Sequence, residues 1–261
     1  MKKILVPSLI AAAIASLTSV AHAAEPESTL GFNAGAVTEY RYRGISQSRL
    51  QPAVQGGVDY ADKSGFYVGA WGSTIKWIKD TGTLNSSSDV KGPVEIDLYG
   101  GYKGAVGDVA YDVGFLRYEY AGNNLSKLSP NYVNANTNEV YGALTYGLFT
   151  AKYSHAISNL FGNVDSKNSS YLDLSANLDL GDGYTLTPHI GRQIVKGVNA
   201  GVSNGIYSYT DYALTLGKDL GDGLSASAAL VTTNAVRSAY TLVDNKFNGK
   251  GGVVVGLKYS F

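Results

Sequence analysis

Three charged side chains recur at alternate positions in Glu39-Tyr40-Arg41-Tyr42-Arg43. In extended chain, where alternate side chains share a face, Glu39, Arg41 and Arg43 stand together opposite Tyr40 and Tyr42. Gln51, Gln55 and Asp59 oppose Val54, Val58 and Tyr60 in the same way, and Glu95 and Asp97 oppose Val94, Ile96 and Leu98. Arginines on one wall and carboxylates on another, facing one enclosed space, would set up a transverse field. Such a field sorts small solutes by charge as well as by size. The same groups would equally well pair with one another and fill a narrow interior, and the residue types alone leave both readings open. Gly44, Gly56, Gly57, Gly69 and Gly72 read as places of strand curvature or close packing.

Covalent or acid–base chemistry finds little support. Of three histidines, His22 falls in the leader described below. Ser154 and His155 are neighbours on a strand, so they point to opposite faces and make a poor nucleophile–base pair. His189 shares its face with Thr185 and Thr187 and reads as a polar residue of an interior. With no cysteine and two dispersed histidines, a His/Cys metal site is not expected, while a carboxylate site stays open. The glycine pairs lack a strand–loop–helix setting, so no nucleotide loop is implied. No catalytic residue and no cofactor are expected.

Composition narrows the class. The 261 residues carry 21 basic and 21 acidic side chains, a balance that argues against a nucleic-acid partner. Charged residues make up only 16%, mean hydropathy is −0.05, and there are 32 glycines and 20 tyrosines. That combination suits an extended β protein with lipid on one side and water on the other. Lys2 and Lys3, the apolar stretch 4–20 and Ala21-His22-Ala23 form a secretory signal, with cleavage expected before Ala24. Residues 1–23 are thus expected to be a cleaved signal peptide and 24–261 a single domain. After Ala24 no stretch is apolar and long enough for a membrane helix, whereas barrel strands need only about 10 alternating residues each.

Alternation is the main local signal. Leu172, Leu174, Ala176, Leu178 and Leu180 oppose Tyr171, Asp173, Ser175, Asn177 and Asp179. Twelve such segments are expected, at 30–43, 51–60, 65–77, 93–104, 108–120, 138–147, 149–159, 170–180, 184–195, 206–220, 224–234 and 251–261. Short connections alternate with longer ones rich in Asn, Ser, Gly and Lys. Two short ones repeat Leu-Gly-Asp-Gly, at 180–183 and 220–223, and Asp-Gly between alternating segments is a hairpin signal. The expected fold is all-β: an antiparallel up-and-down transmembrane β-barrel of twelve strands with both termini on the short-turn side. Tyr40, Tyr42, Tyr60, Tyr118, Tyr120, Tyr146, Tyr207 and Tyr259 fall near expected strand ends and read as an interfacial girdle.

The last strand ends Val253, Val255, Leu257, Tyr259, Phe261 on one face. Tyr259 and the terminal Phe261 resemble the signal taken up by the outer-membrane barrel assembly machinery. The runs Glu39–Ser48, Pro52–Tyr60 and Ser64–Ser73, with Glu95–Tyr102 and Val255–Phe261, resemble the TorF family of proteobacterial outer-membrane porins. The resemblance extends over 24–261 and is most specific in the first third. It implies a pore in the bacterial outer membrane and brings neither catalytic residues nor a known solute.

The expectation is a channel for passive diffusion of small polar or charged solutes, with Glu39, Arg41, Arg43, Gln55, Asp59, Glu95 and Asp97 facing the lumen. Outer-membrane lipid, the assembly machinery and the solutes would be its partners, and a homo-oligomer is compatible with the pattern. The alternatives are a closed structural or adhesion barrel, or an outer-membrane barrel enzyme.

Overall fold

The structure, a computed structural model, describes residues 28–261. The expected signal segment 1–23 and its cleavage point lie outside the described residues. Twelve antiparallel strands form one closed sheet. They are β1 (Ser28–Val37), β2 (Ala53–Asp62), β3 (Phe66–Thr74), β4 (Val94–Val106), β5 (Val109–Tyr120), β6 (Thr137–Tyr146), β7 (Phe149–Ala156), β8 (Ser170–Ala176, continued after Asn177 by Leu178–Gly181), β9 (Tyr184–Ile194), β10 (Tyr209–Gly221), β11 (Leu224–Thr233) and β12 (Gly252–Ser260). Each pairs with its sequence neighbours, and β1 pairs with β12 to close the ring.

Closure leaves no strand edge, so every wall residue has one face inside and one outside. The outer face is apolar along its whole height: Leu30, Val54, Leu98, Leu144, Leu214 and Val255 are all exposed. The inner face carries polar and aromatic groups, among them Gln55, Glu95, Asp97, Tyr99, Tyr141, Thr185 and Asp211, all buried. At the seam the Phe261 carbonyl accepts from Phe32 N at 2.8 Å, Phe261 N donates to Phe32 O at 3.0 Å, and the two rings stack with centroids 5.8 Å apart.

Turn chemistry sets the two ends apart. One end has five short turns. In two of them, Gly181-Asp182-Gly183 and Gly221-Asp222-Gly223, all three residues have positive φ (82°, 50° and 73°; 87°, 50° and 80°). The Asp-Gly pair makes the two-residue hairpin whose twist matches the strands. The leading glycine sits where the pairing register shifts. Six long connections, 38–52, 75–93, 121–136, 157–169, 195–208 and 234–251, crown the other end.

Two expected boundaries are corrected. The first strand stops at Val37 rather than running to 43, because Arg43 and Gly44 have positive φ (47° and 79°) and reverse the chain. The third strand stops at Thr74, and Trp77–Leu84 forms a helix, α1, whose Ile78 is fully buried. The eight-tyrosine girdle is corrected as well: Tyr40, Tyr42, Tyr118 and Tyr120 are buried inside the barrel, and Tyr207 lies in a 3-10 turn of a long loop. Tyr60, Tyr146 and Tyr259 are exposed near the short-turn end. Tyr40 and Tyr42 belong to the inturned hairpin described below and Tyr118 and Tyr120 to the wall beside it, where their hydroxyls find carboxylates and one another.

The surplus of glycine and tyrosine has a geometric cause. Several inward tyrosines lie flat over glycines of the neighbouring strand, where a side chain would collide. A Cβ at Gly69 would meet the Tyr99 ring at 2.4 Å, one at Gly114 the Tyr141 hydroxyl at 2.6 Å, and one at Gly191 the Tyr171 hydroxyl at 1.9 Å. Lying flat lets each hydroxyl span the glycine: Tyr99 donates to Asp59 at 2.5 Å, and Tyr171 to Asp211 at 3.0 Å. Gly69→Ala should therefore displace Tyr99 and destabilise the barrel by about 1–3 kcal/mol. Gly31→Ala, with nothing within 4 Å of the added carbon, should be close to neutral. Urea-unfolding midpoints of the two variants in detergent would check this.

Candidate functional site: a lumen crossed by an inturned hairpin

The connection 38–52 folds into the barrel. Arg41–Tyr42 pairs with Ile45–Ser46, and Arg43–Gly44 forms the turn. Positive φ at both central positions is the geometry of the tight hairpin turn, here with arginine taking the first place. The tip reaches the wall at β10 and β11. A Cβ on Gly44 would lie 2.6 Å from both Asp211 Cβ on β10 and Thr233 Cγ2 on β11, so only glycine fits there.

Polar contacts hold the hairpin along its length. Tyr40 donates to Glu95 at 2.5 Å and packs edge-on against Trp71. The Tyr42 and Tyr118 hydroxyls are 2.5 Å apart. Arg41 donates to Glu39 through Nε and Nη2, at 2.8 and 2.6 Å, and to the Gly44 carbonyl through Nη1 at 2.9 Å. Arg43 donates to Gln193 on β9 and to Glu139 on β6, both at 2.7 Å, with its guanidinium carbon 4.7 Å from the Tyr42 ring centroid and 4.3 Å from that of Tyr171. Beyond the wall, Arg49 pairs with the buried Asp80 of α1, and those hydrogen bonds raise the Arg49 pKa. Ser46 N donates to the Asn248 carbonyl at 2.9 Å.

The wall beside the hairpin holds more acid than it satisfies. Asp97 is fully buried, and neither of its carboxylate oxygens has a hydrogen-bond partner. The same holds for one oxygen each of Glu39 and Glu139. Across β8, β9 and β10, His189 lies between Asp173 (Nδ1, 3.1 Å) and Asp211 (Nε2, 2.9 Å), with the Tyr171 hydroxyl 3.2 Å from Nε2. Both ring nitrogens face carboxylates, so neither is left to activate a nucleophile. Among the described residues no group of three or more His, Asp or Glu side chains is arranged to hold a metal ion.

Toward the short-turn end the charges alternate in sign along the register. Lys103 stands opposite Asp112, Asp112 opposite Ala143, Ala143 opposite Lys152 and Lys152 opposite Asp173. Lys103 and Lys152 lie over the Tyr67 and Tyr141 rings at 4.4 and 3.9 Å. Tyr67 in turn donates to Asp112 at 2.6 Å.

The predicted residues occupy two different places. Gln55, Asp59, Glu95 and Asp97 stand on the inner wall, with Asp59 the most exposed of them. Glu39, Arg41 and Arg43 stand on the hairpin inside the lumen rather than on a first-strand wall. Glu95 joins the hairpin through Tyr40, while Asp59 lies lower and accepts from Tyr99. Sequence reasoning missed Glu139, Gln193 and Tyr171, which complete the Arg43 pocket. Their even spacing on alternating strands was the only available signal, and it does not say which strands meet across a barrel. His155 faces outward beside Tyr153 and Asn168.

The chain belongs to the family described as "Bacterial protein of unknown function (Gcw_chp)", whose model matches residues 21–261. No curated protein sequence matches it. Among solved structures it is similar to the KdgM porin, at 8% identity over 90% of this chain and 99% of that one, TM-score 0.51; a second KdgM structure is in complex with disordered oligogalacturonate. It is also similar to the NanC porin (10% identity, 89% and 99%, TM-score 0.52) and to an outer membrane channel from Pseudomonas putida F1 (11% identity, 91% and 96%, TM-score 0.51). At these identities the likeness is one of fold.

Removing one partner of a buried ion pair strands the other. Glu139→Ala should therefore cost about 3–5 kcal/mol and free the hairpin tip. Limited proteolysis should then cut within 39–50 in the variant and spare the parent.

Proposed function

We propose that the protein is an outer-membrane channel for passive diffusion of small polar or charged solutes, with the 38–52 hairpin as its constriction. The observation that carries this reading is the two-faced closed wall: exposed Leu, Val and Phe outside, charged and hydroxyl groups inside. In water that apolar belt would cost about 25 cal/mol for each Å² exposed, whereas lipid accepts it without cost. Backbone groups are paired around the whole ring, the condition for spanning a bilayer with strands. The porin folds it resembles support the same setting.

On this reading the short turns face the periplasm and the long loops the outside. The TorF resemblance, the leader 1–23 and the assembly signal at Tyr259 and Phe261 fit export to the outer membrane. The enzyme alternative loses support because His189 is enclosed by two carboxylates deep in the lumen, away from any membrane edge. The closed structural or adhesion barrel keeps one specific observation in its favour, the hairpin's span of the lumen from Glu95 on β4 to Asp211 on β10.

Planar-bilayer recording separates the two. Replacing 39–50 by a short Gly-Ser linker should raise single-channel conductance severalfold over the parent. If both proteins are silent while gels show heat-modifiable folded barrels, the channel reading falls and the adhesion reading stands.

A further inference from the structure

The Arg43 pocket is built mostly by the wall. Glu139 on β6 supplies a carboxylate, Gln193 on β9 a carbonyl oxygen, and Tyr171 on β8 a ring face 4.3 Å from the guanidinium carbon. Only the second ring, Tyr42, belongs to the hairpin. A carboxylate, an amide oxygen and an aromatic face arranged around one planar cation are the elements of guanidinium recognition. All three remain on the barrel if the hairpin withdraws.

The surroundings are rich in carboxyl groups. At this level and just below it the lumen carries Glu95, Asp97, Glu139, Asp173 and Asp211, against Arg43, Lys152 and His189. Both oxygens of Asp97 and one of Glu139 are buried without a hydrogen-bond partner. Buried carboxylate oxygens without donors are costly, and an entering cation with several N–H groups would satisfy them. Arg43 uses one N–H of each outer nitrogen, on Gln193 and on Glu139, and its tether leaves both Asp97 oxygens without a donor.

We propose that this wall pocket is the solute-recognition site of the channel, that the solutes it takes are small cations bearing a guanidinium group, and that Arg43 occupies it as a tethered stand-in. The proposal rests on the channel reading for its role in transport, but the pocket can be tested without any current. Arg43→Ala should lower the heat-modification midpoint of the detergent-folded barrel by several degrees. Millimolar methylguanidinium should restore most of that shift, with little restoration by equal sodium chloride or methylammonium and none in Arg43→Ala/Glu139→Gln. If Arg43→Ala does not fold, the folded fraction recovered on refolding with and without methylguanidinium becomes the readout.

Absence of rescue, or equal rescue by sodium chloride, would overturn the site. In bilayers, reversal potentials should show methylguanidinium passing the parent channel in preference to chloride and to galacturonate. A conducting channel that prefers either anion overturns the solute class and leaves the channel reading intact. A silent bilayer with successful chemical rescue overturns the channel reading and leaves the pocket.

Discussion

A closed barrel of this size has to fill or wet its interior, and here a single reversal of the chain decides which. The Arg43–Gly44 turn carries the 38–52 segment across the lumen until the backbone at Gly44 rests against Asp211 and Thr233. Once the tip is there, the polar groups of the upper lumen gain further partners beside those of the wall: Glu95 from Tyr40, Glu139 and Gln193 from Arg43, Tyr118 from Tyr42. The buried cluster of Tyr40, Tyr42, Tyr118, Tyr120 and Ile78 is the packing that results. It fills the space between hairpin, α1 and wall, and continues down the lumen through Tyr99 and Tyr141.

The lower lumen is organised by the other recurring device, a tyrosine laid over a glycine. A strand with a glycine at an inward position has a shallow trough there, and a neighbouring tyrosine can lie in it without narrowing the barrel. Tyr99 over Gly69 below the hairpin, and Tyr171 over Gly191 at the level of its tip, each deliver a hydroxyl to an aspartate two strands away. The wall is thereby tied sideways by side chains as well as by its backbone ladder. Lys103 and Lys152 then rest on the tyrosine faces, holding positive charge close to Asp112.

Much of this was legible in the alternation of residues. Twelve strands, short Asp-Gly turns on one end, and the inward placement of Gln55, Asp59, Glu95 and Asp97 follow from period-two patterning, because a strand with one apolar face has only one register that works. The hairpin was not legible. Glu39 to Arg43 alternate as a wall strand does, and the clue that they are not one is a positive-φ pair that the sequence shows only as Arg43-Gly44, a dipeptide with no strong turn signature. The same limit hid the tyrosines: Tyr40, Tyr118 and Tyr120 sit near strand ends and would suit a membrane interface, but their neighbours across the lumen, not their position along the chain, place them inside. Glu139 and Gln193 became site residues only because a segment about a hundred or more positions earlier in the chain reaches them.

The fold and the site therefore make separate demands on the sequence. The barrel needs only alternation and turns, and many sequences meet that requirement, as its likeness to porins at about 10% identity illustrates. The site needs particular residues at the hairpin tip and on three distant strands. A charge-neutral chain can still present a strongly charged lumen when one segment is free to choose where its cations go. Here Arg41 is spent on Glu39 within the hairpin and Arg49 on Asp80 outside the wall. That leaves Arg43 as the one hairpin cation facing Glu139, while Asp97 beside them has no donor. The imbalance is local and buried, so it persists whatever the net charge of the molecule.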